Sequence, residues 1–245
     1  MSKAGVIFVA AGAPYVLAAN RAAKSVREHS PLVGIDLFTN LPDLAADIFD
    51  QVRPLEGPHR RSKVDCLHQT RFERTLYLDT DVRLVADIAE MFKTLDRFDI
   101  ALAHAHARNR DQTQQMWRID IPRAFPQMNS GVILFKSTTP VLAFLRAWQQ
   151  AYHSAGFRKD QVTLRELLWC SDLRLHILPP EYNIRYERNL SFWDPKEAVP
   201  QILHLAKFHA QAGPEPKRAQ KRQLGVDLLS AIKKRLGLGP VIAQD

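Results

Sequence analysis

An α/β fold with a mostly parallel sheet is predicted for this 245-residue chain by two observations. Short apolar runs of strand length alternate with longer segments of helical periodicity, the order that builds βαβ units. One of the runs, "RTLYLD" (74–79), ends in a carboxylate, and a second carboxylate follows two residues later. In sheets of this kind ligands bind beyond the carboxyl ends of strands, so a polar pair at such an end marks a candidate site.

The elements follow in order. "GVIFVAA" (5–11) reads as a buried first strand, and the run is very short for a secretory signal. "YVLAANRAAKSVREH" (15–29) reads as a helix with Val16, Ala19, Ala23 and Val26 on one face. "GIDLFT" (34–39) is a second strand, and "LPDLAADIFDQV" a short helix with Asp43 near its start. A helix is expected over 62–72 with Ser62 as its cap, a strand over 74–79, a helix over 85–95 and a strand over 99–105. The polar stretch 107–128 has no clean period and is long for a plain connection, which suits a lid or acceptor loop, with Trp117 and Trp193 shaping the acceptor side. "SGVILFK" (130–136) is a strand, 140–154 and 160–170 are helices, 173–178 is a strand, and "QILHLAKFH" (201–209) is a last strand. A first domain therefore spans 1–210, with a linker and a basic amphipathic tail over 211–245.

Composition bounds the function. Hydrophobic residues make up 46% and charged residues 24%, so a packed core is expected rather than disorder. Cys66 and Cys170, both in apolar sequence surroundings, are too few for a disulfide framework and read as reduced thiols of a cytoplasmic protein. The net charge is +8, and half of the excess comes from residue 214 onward, where seven basic residues face three acidic ones. Leu224, Leu228, Ile232 and Leu236 fall four apart beside Lys233, Lys234 and Arg235. Such a helix suits peripheral contact with the inner face of an anionic membrane, or docking on its own domain. No run is long enough to span a bilayer, and no nucleic-acid module is present.

Asp79 and Asp81 invite a cation. Two carboxylates one residue apart repel each other, and burial raises the cost of their charge. Mg²⁺ or Mn²⁺ takes oxygen ligands, commonly one or two carboxylates with phosphate oxygens. Bound beside a diphosphate, the ion makes it a better leaving group. The bland reading makes Asp79 a turn residue and Asp81 a solvated one.

"RTLYLDTDVRLVADIAEMF" resembles the Asp-x-Asp segment of glycosyltransferases with the GT-A fold, a Rossmann-like mixed sheet flanked by helices. More narrowly, the chain resembles the retaining family 8, which includes glycogenin and bacterial lipopolysaccharide galactosyltransferases. "APYVLAANRAAKSV", "MNSGVILFK", "DQVTLRELL", "LPPEYN" and "ILHLAK" match further family segments in order, from about residue 5 to 209. The resemblance implies transfer of a hexose from a nucleotide-diphosphate sugar, most readily a UDP-hexose, to a saccharide or glycolipid hydroxyl.

It also implies roles. Asp79, Asp81 and His204 would hold Mn²⁺ or Mg²⁺, with Asp79 and Thr80 also touching the donor. Tyr15 would stack on the base, near the backbone of Ala10 and Ala11, although the loop "AAGAP" lacks the acidic residue that often reads it. Asn129, Ser130 and Gly131 would line the donor-sugar pocket. Asp160 and Gln161 begin the helix 160–170, where Asp160 fits a cap; the resemblance would instead have the pair position the sugar near its anomeric carbon. Lys207 is a weak match for the phosphate lysine, because the expected glycine is missing and the lysine follows too soon; Arg61 and Lys63 are the other phosphate candidates. Two further classes compete: a non-catalytic sugar-nucleotide binder of the same fold, and a haloacid-dehalogenase-type phosphatase. The second also uses Asp-x-Asp after an apolar strand, but usually on its first strand.

Overall fold

The computed structural model describes residues 4–191 and 193–210; the predicted linker and tail, 211–245, lie outside the described residues. Strands β1 (Ala4–Ala10), β2 (Gly34–Thr39), β3 (Gln51–Pro54), β4 (Arg74–Leu78), β6 (Ile100–His104), β7 (Met128–Lys136) and β8 (Leu175–Ile177) form one sheet in the order β3-β2-β1-β4-β7-β6-β8. β7 runs antiparallel to both its neighbours, and the other pairs are parallel. A second, two-stranded sheet pairs β5 (Val82–Leu84) with β9 (Ile202–His204), antiparallel.

Alternation along the strands divides the core into two layers. Val6, Phe8, Leu76, Leu78, Val132 and Leu134 face α1 (Ala13–His29), which presents Val16, Ala19, Ala22, Ala23 and Val26. The alanines let this helix lie close to the sheet. Ile7, Tyr77, Ile133 and Phe135 face the other way, onto Phe144, Leu145 and Trp148 of α4 (Thr139–Ala155) and Leu164 of α5 (Gln161–Trp169). Covered on both faces, the central strands read as continuous apolar runs. α4 stops at Gly156, whose φ of 71° is left-handed and open to glycine at little cost.

Three expected helices take other forms. Over 41–52 there is a single 3-10 turn, Pro42–Leu44, followed by the edge strand β3. Asn20 of α1 holds this segment open, donating to the Leu44 carbonyl and accepting the Ala46 amide. Over 85–95 the chain leaves β5 through an irregular turn and enters a 3-10 stretch, Ala89–Asp96. Here Ser30 accepts the Ile88 amide and Asp87 that of Ala89, side-chain bonds that compete with a helical ladder. The helix expected over 62–72 shrinks to α2 (Lys63–Cys66) and a 3-10 turn, Leu67–Gln69. Ser62 does not cap it; its hydroxyl exchanges hydrogen bonds with the backbone of His59. α3 (Asp111–Gln114) and α6 (Lys207–Ala210) are single turns. Cys66 is buried, and burial pushes its thiol up to about 12; Cys170, expected in apolar surroundings, is exposed.

Candidate active site

β4 delivers Asp79 at its carboxyl end, where the Asp79 amide donates to the Gly131 carbonyl of β7 at 2.8 Å. The chain then turns through Thr80 and Asp81 into β5. Pairing of β5 with β9 sets Val82 opposite His204, and the Leu205 amide donates to the Asp81 carbonyl at 3.0 Å. A residue far along the chain thus lands against both aspartates. His204 Nε2 lies 3.1 Å from Asp81 Oδ1 and 3.6 Å from Asp79 Oδ2. A methyl carbon at Gly131 would overlap His204 Cε1 and lie 2.6 Å from Asp79 Oδ2, so only glycine leaves room for the cluster.

The cluster fits a divalent cation. His204 Nδ1 stands 2.7 Å from Asn183 Oδ1, so the ring proton sits on Nδ1 and the Nε2 lone pair faces the carboxylates. Asp81 Oδ1 is buried and accepts no hydrogen bond. Two carboxylates and a bare imidazole nitrogen in one buried spot form an unfavourable set that a hard-to-borderline cation satisfies. The carboxyls are nonetheless kept ionised. Burial pushes Asp79 up, but Lys63, the His204 ring when it carries a second proton, and the Tyr77 hydroxyl outweigh it and hold it below the usual range. Burial likewise raises Asp81, but the His204 ring when it carries a second proton, with His209 and Arg185, outweighs it and brings it down.

Lys63 is almost wholly buried. Its Nζ donates to Asp79 Oδ1 at 3.0 Å and to the Ser130 carbonyl at 2.7 Å, tying β4 to β7. Asp160 lies beneath this knot and has no exposed surface. Expected as a helix cap, its carboxylate makes no capping bond; it accepts the Ser130 hydroxyl at 2.7 Å and pairs with Lys63 at 3.5 Å and Arg61 at 3.3 Å. Gln161, the first residue of α5, donates from Nε2 to the Met128 carbonyl at 2.6 Å.

Two cavities meet at Asp79, Arg61 and His209. The larger, about 510 Å³, is lined by Ala11, Tyr15, His59, Arg60, Lys63 and Thr80 among others. The smaller, about 310 Å³, is lined by Asp81, Asn129, Ser130, Gly131, Gln161 and His204, together with Arg110, Lys159, Arg185 and Tyr186. Ala10 is buried behind the larger cavity and lines neither. Lys207 also lines neither; it is ion-paired with Glu187. Trp193 packs with Ile184 and Leu203 in a small core of its own. The polar stretch 107–128 is pinned from below: Glu166 accepts the Arg118 and Ile119 amides, and Arg165 donates to the carbonyls of Ile121, Pro122 and Phe125.

Four residues absent from the sequence reading belong here. Asn183 orients His204; Arg185 Nη1 reaches Asp81 Oδ2 at 3.7 Å; and Tyr77 donates to Asp79 at 2.6 Å. His209 stands 2.9 Å from the Thr80 hydroxyl and edge-on to Tyr15, ring centroids 5.1 Å apart. A second cluster, His59, Asp65 and His153, lies on the α2–α4 side of the larger cavity. Its Asp65 accepts His59 Nε2 at 2.5 Å, His153 Nε2 at 2.7 Å and Gln149 Nε2 at 3.0 Å.

The sequence pattern of nucleotide-diphospho-sugar transferases matches residues 70–218, more than half of the chain. Comparison with curated proteins gives no match. Among solved structures, the galactosyltransferase LgtC in complex with donor and acceptor sugar analogs superposes with a TM-score of 0.58 at 17% identity, over 96% of this chain and 97% of that one. The glycosyltransferase GlyE of Streptococcus pneumoniae TIGR4 gives 0.56 at 18%, over 98% and 66% of the two chains. Mouse xyloside xylosyltransferase 1 gives 0.53 at 16%, over 86% and 99%. At these identities the likeness shows a shared fold, which is the mixed GT-A sheet expected from the sequence.

Proposed function

Because the chain belongs to the nucleotide-diphospho-sugar transferase family and is a glycosyltransferase, we propose that it moves a hexose from a UDP-sugar to a saccharide or glycolipid hydroxyl. The observation that carries the metal-dependent part of this reading is the cluster of Asp79, Asp81 and His204, with a buried Asp81 Oδ1 that faces His204 Nε2 at 3.1 Å and accepts no hydrogen bond. These three residues would hold Mn²⁺ or Mg²⁺. When bound, the ion neutralises the donor diphosphate and improves it as a leaving group.

The chain's own residues do the rest. Tyr15, about half exposed at the mouth of the larger cavity, offers a ring face to the base, with His209 beside it. Thr80 and the backbone of Ala11 border the same space. Arg60, Arg61 and Lys63 supply positive charge toward the diphosphate. Asn129, Ser130 and Gly131 border the sugar, and Gln161, its amide nitrogen tied to Met128, keeps its oxygen for a sugar hydroxyl. Asp160 is a positioning residue that acts through Ser130, Arg61 and Lys63.

Retention of configuration is part of the proposal. Asp79 and Asp81 are the only carboxylates lining the smaller cavity among the described residues, and both belong to the cation cluster. With Asp160 buried out of reach, a front-face displacement suits this wall better than a covalent intermediate.

The test is a panel of UDP- and GDP-sugars with Mn²⁺ or EDTA, measuring released nucleotide diphosphate from wild type and Asp81→Ala. Release of UDP from one sugar, requiring Mn²⁺ and lost in the variant, is the expected result. Calorimetric titration of UDP with Mn²⁺ covers the case of faint turnover without acceptor. Absence of UDP and GDP binding in the presence of Mn²⁺ sinks the proposal.

A further inference from the structure

The smaller cavity carries more positive charge than its cluster and a donor need. Its only acidic lining residues among the described ones are Asp79 and Asp81, which the cation cluster uses. The larger cavity has its own cations, Arg60 and Lys63, and shares Arg61. That leaves Arg110, Lys159 and Arg185 facing the smaller cavity alone. The Arg110 and Lys159 side chains make no ion pair or hydrogen bond among the described residues. Arg185 Nη1 is buried without a hydrogen-bond partner, and its nearest carboxylate oxygen, on Asp81, is 3.7 Å away.

The surroundings do not relieve this field. Burial lowers the Lys159 ammonium, and Arg61 and Arg110 press it down further. Burial lowers His106, and Arg188, Arg108, Arg185 and Arg110 act in the same direction. Nor is the arrangement a loose surface. Arg110 precedes α3 on the stretch that Arg165 and Glu166 anchor, and Lys159 immediately precedes the buried Asp160. Tyr186, packed on His106 with ring centroids 4.4 Å apart and covered by the Arg188 guanidinium 4.7 Å from its centroid, borders the same cavity and brings a further cation to its rim.

We propose that the acceptor is an anionic sugar, bearing a phosphate or a carboxylate, whose charge is received by Arg110, Lys159 and Arg185 in the smaller cavity. Guanidinium groups match the planar or tetrahedral oxygens of both anions, and hydrogen bonds between ionised partners are about twice as strong as neutral ones. The inference rests on the donor reading above, which gives the larger cavity to the nucleotide.

The experiment is calorimetry on the full chain saturated with Mn²⁺ and UDP. A hexose, the corresponding hexose 6-phosphate and the corresponding hexuronate are titrated in turn into wild type, Arg110→Ala and Lys159→Ala. At least one anionic sugar is expected to bind about tenfold to a hundredfold more tightly than the hexose. Each variant is expected to lose most of that preference, and the phosphate and hexuronate arms tell the two anions apart. Equal binding of all three sugars to the UDP-loaded protein overturns the inference and leaves the transferase reading intact. So does a loss of UDP affinity in the variants equal to their loss of anionic-sugar affinity, which would give these cations to the donor diphosphate. Failure of UDP itself to bind with Mn²⁺ strikes the donor reading instead, before any sugar is added.

Discussion

Two clusters of aspartate and histidine lie on either side of the larger cavity, built from the same residue types and arranged for opposite ends. In Asp79–Asp81–His204, Asn183 takes the proton on Nδ1, and Nε2 turns a lone pair toward two carboxylates. In His59–Asp65–His153, the Arg61 amide donates to His59 Nδ1 at 3.2 Å, so the ring proton sits on Nε2 and is given to Asp65. One carboxylate there receives three donors and is satisfied. The first cluster is incomplete without a cation, whereas the second is a closed hydrogen-bonded clamp holding the Pro58–Lys63 loop against α4. Proximity of ligand atoms is common to both; the partner of the far imidazole nitrogen separates them.

The sharpest way to break this distinction is to load each cluster with metal. At Mn²⁺ a hundredfold above its dissociation constant, wild type should gain about 2.7 kcal/mol of stability, seen as a rise in Tm. Asp81→Ala should show no rise, and Asp65→Asn the full rise. The reverse pattern would exchange the roles of the two clusters.

A smaller effect is expected from the orienting residue. Asn183→Ala removes the acceptor for Nδ1–H, so Mn²⁺ affinity should fall by about tenfold to a hundredfold, read by titration with Tm or by Mn²⁺ electron paramagnetic resonance. An affinity unchanged from wild type would mean that packing alone orients His204.

The clamp should reveal itself through stability and pH. Burial raises the Asp65 carboxyl, but the His153, His59 and Gln149 bonds outweigh it and hold it below its ordinary value. A lowered folded value means that the contribution is fully present above the unfolded value, about 3.9, and is lost as pH falls through the folded one. Asp65→Asn should therefore cost about 1–2 kcal/mol at pH 7 in urea unfolding, and the gap to wild type should close under acid, below about pH 4. His153→Ala, at the half-exposed edge of the clamp, should cost less than about 1 kcal/mol.

Much of the sheet was legible because its strands are covered on both faces and must be apolar throughout. "GVIFVA", "TLYL" and "GVILFK" admit few other readings at their length. The misread segments share a cause. Residues 41–52 and 85–95 have helical spacing, but Asn20 and Ser30, far away in the chain, offer their backbone groups hydrogen bonds that no window of neighbouring residues displays. The aspartate pair stood out locally, and Lys63 and Gly131 could be named with it. Asn183, Arg185 and His209 lie in short irregular segments with no period to mark them. Their place depends on where β9 returns, and that long-range pairing has no local signature. Asp160 shows the opposite limit: its position at a helix start suggested a cap, but the hydroxyl of Ser130 from β7 draws it away.

The pairing of β5 with β9 also orders the site in time. Asp79 and Asp81 leave the ribosome well over a hundred residues before His204, and a chain still lacking β9 has no imidazole for Asn183 to aim. During synthesis the aspartates are two free carboxylates on an open strand end, with a weak hold on any cation. The last strand, arriving against β5, brings His204 to the two carboxylates as the third ligand of the proposed cation site and closes the wall on which Thr80 and His209 meet. On the metal-dependent reading proposed above, an interrupted chain therefore has no complete cation site with which to spend activated sugar.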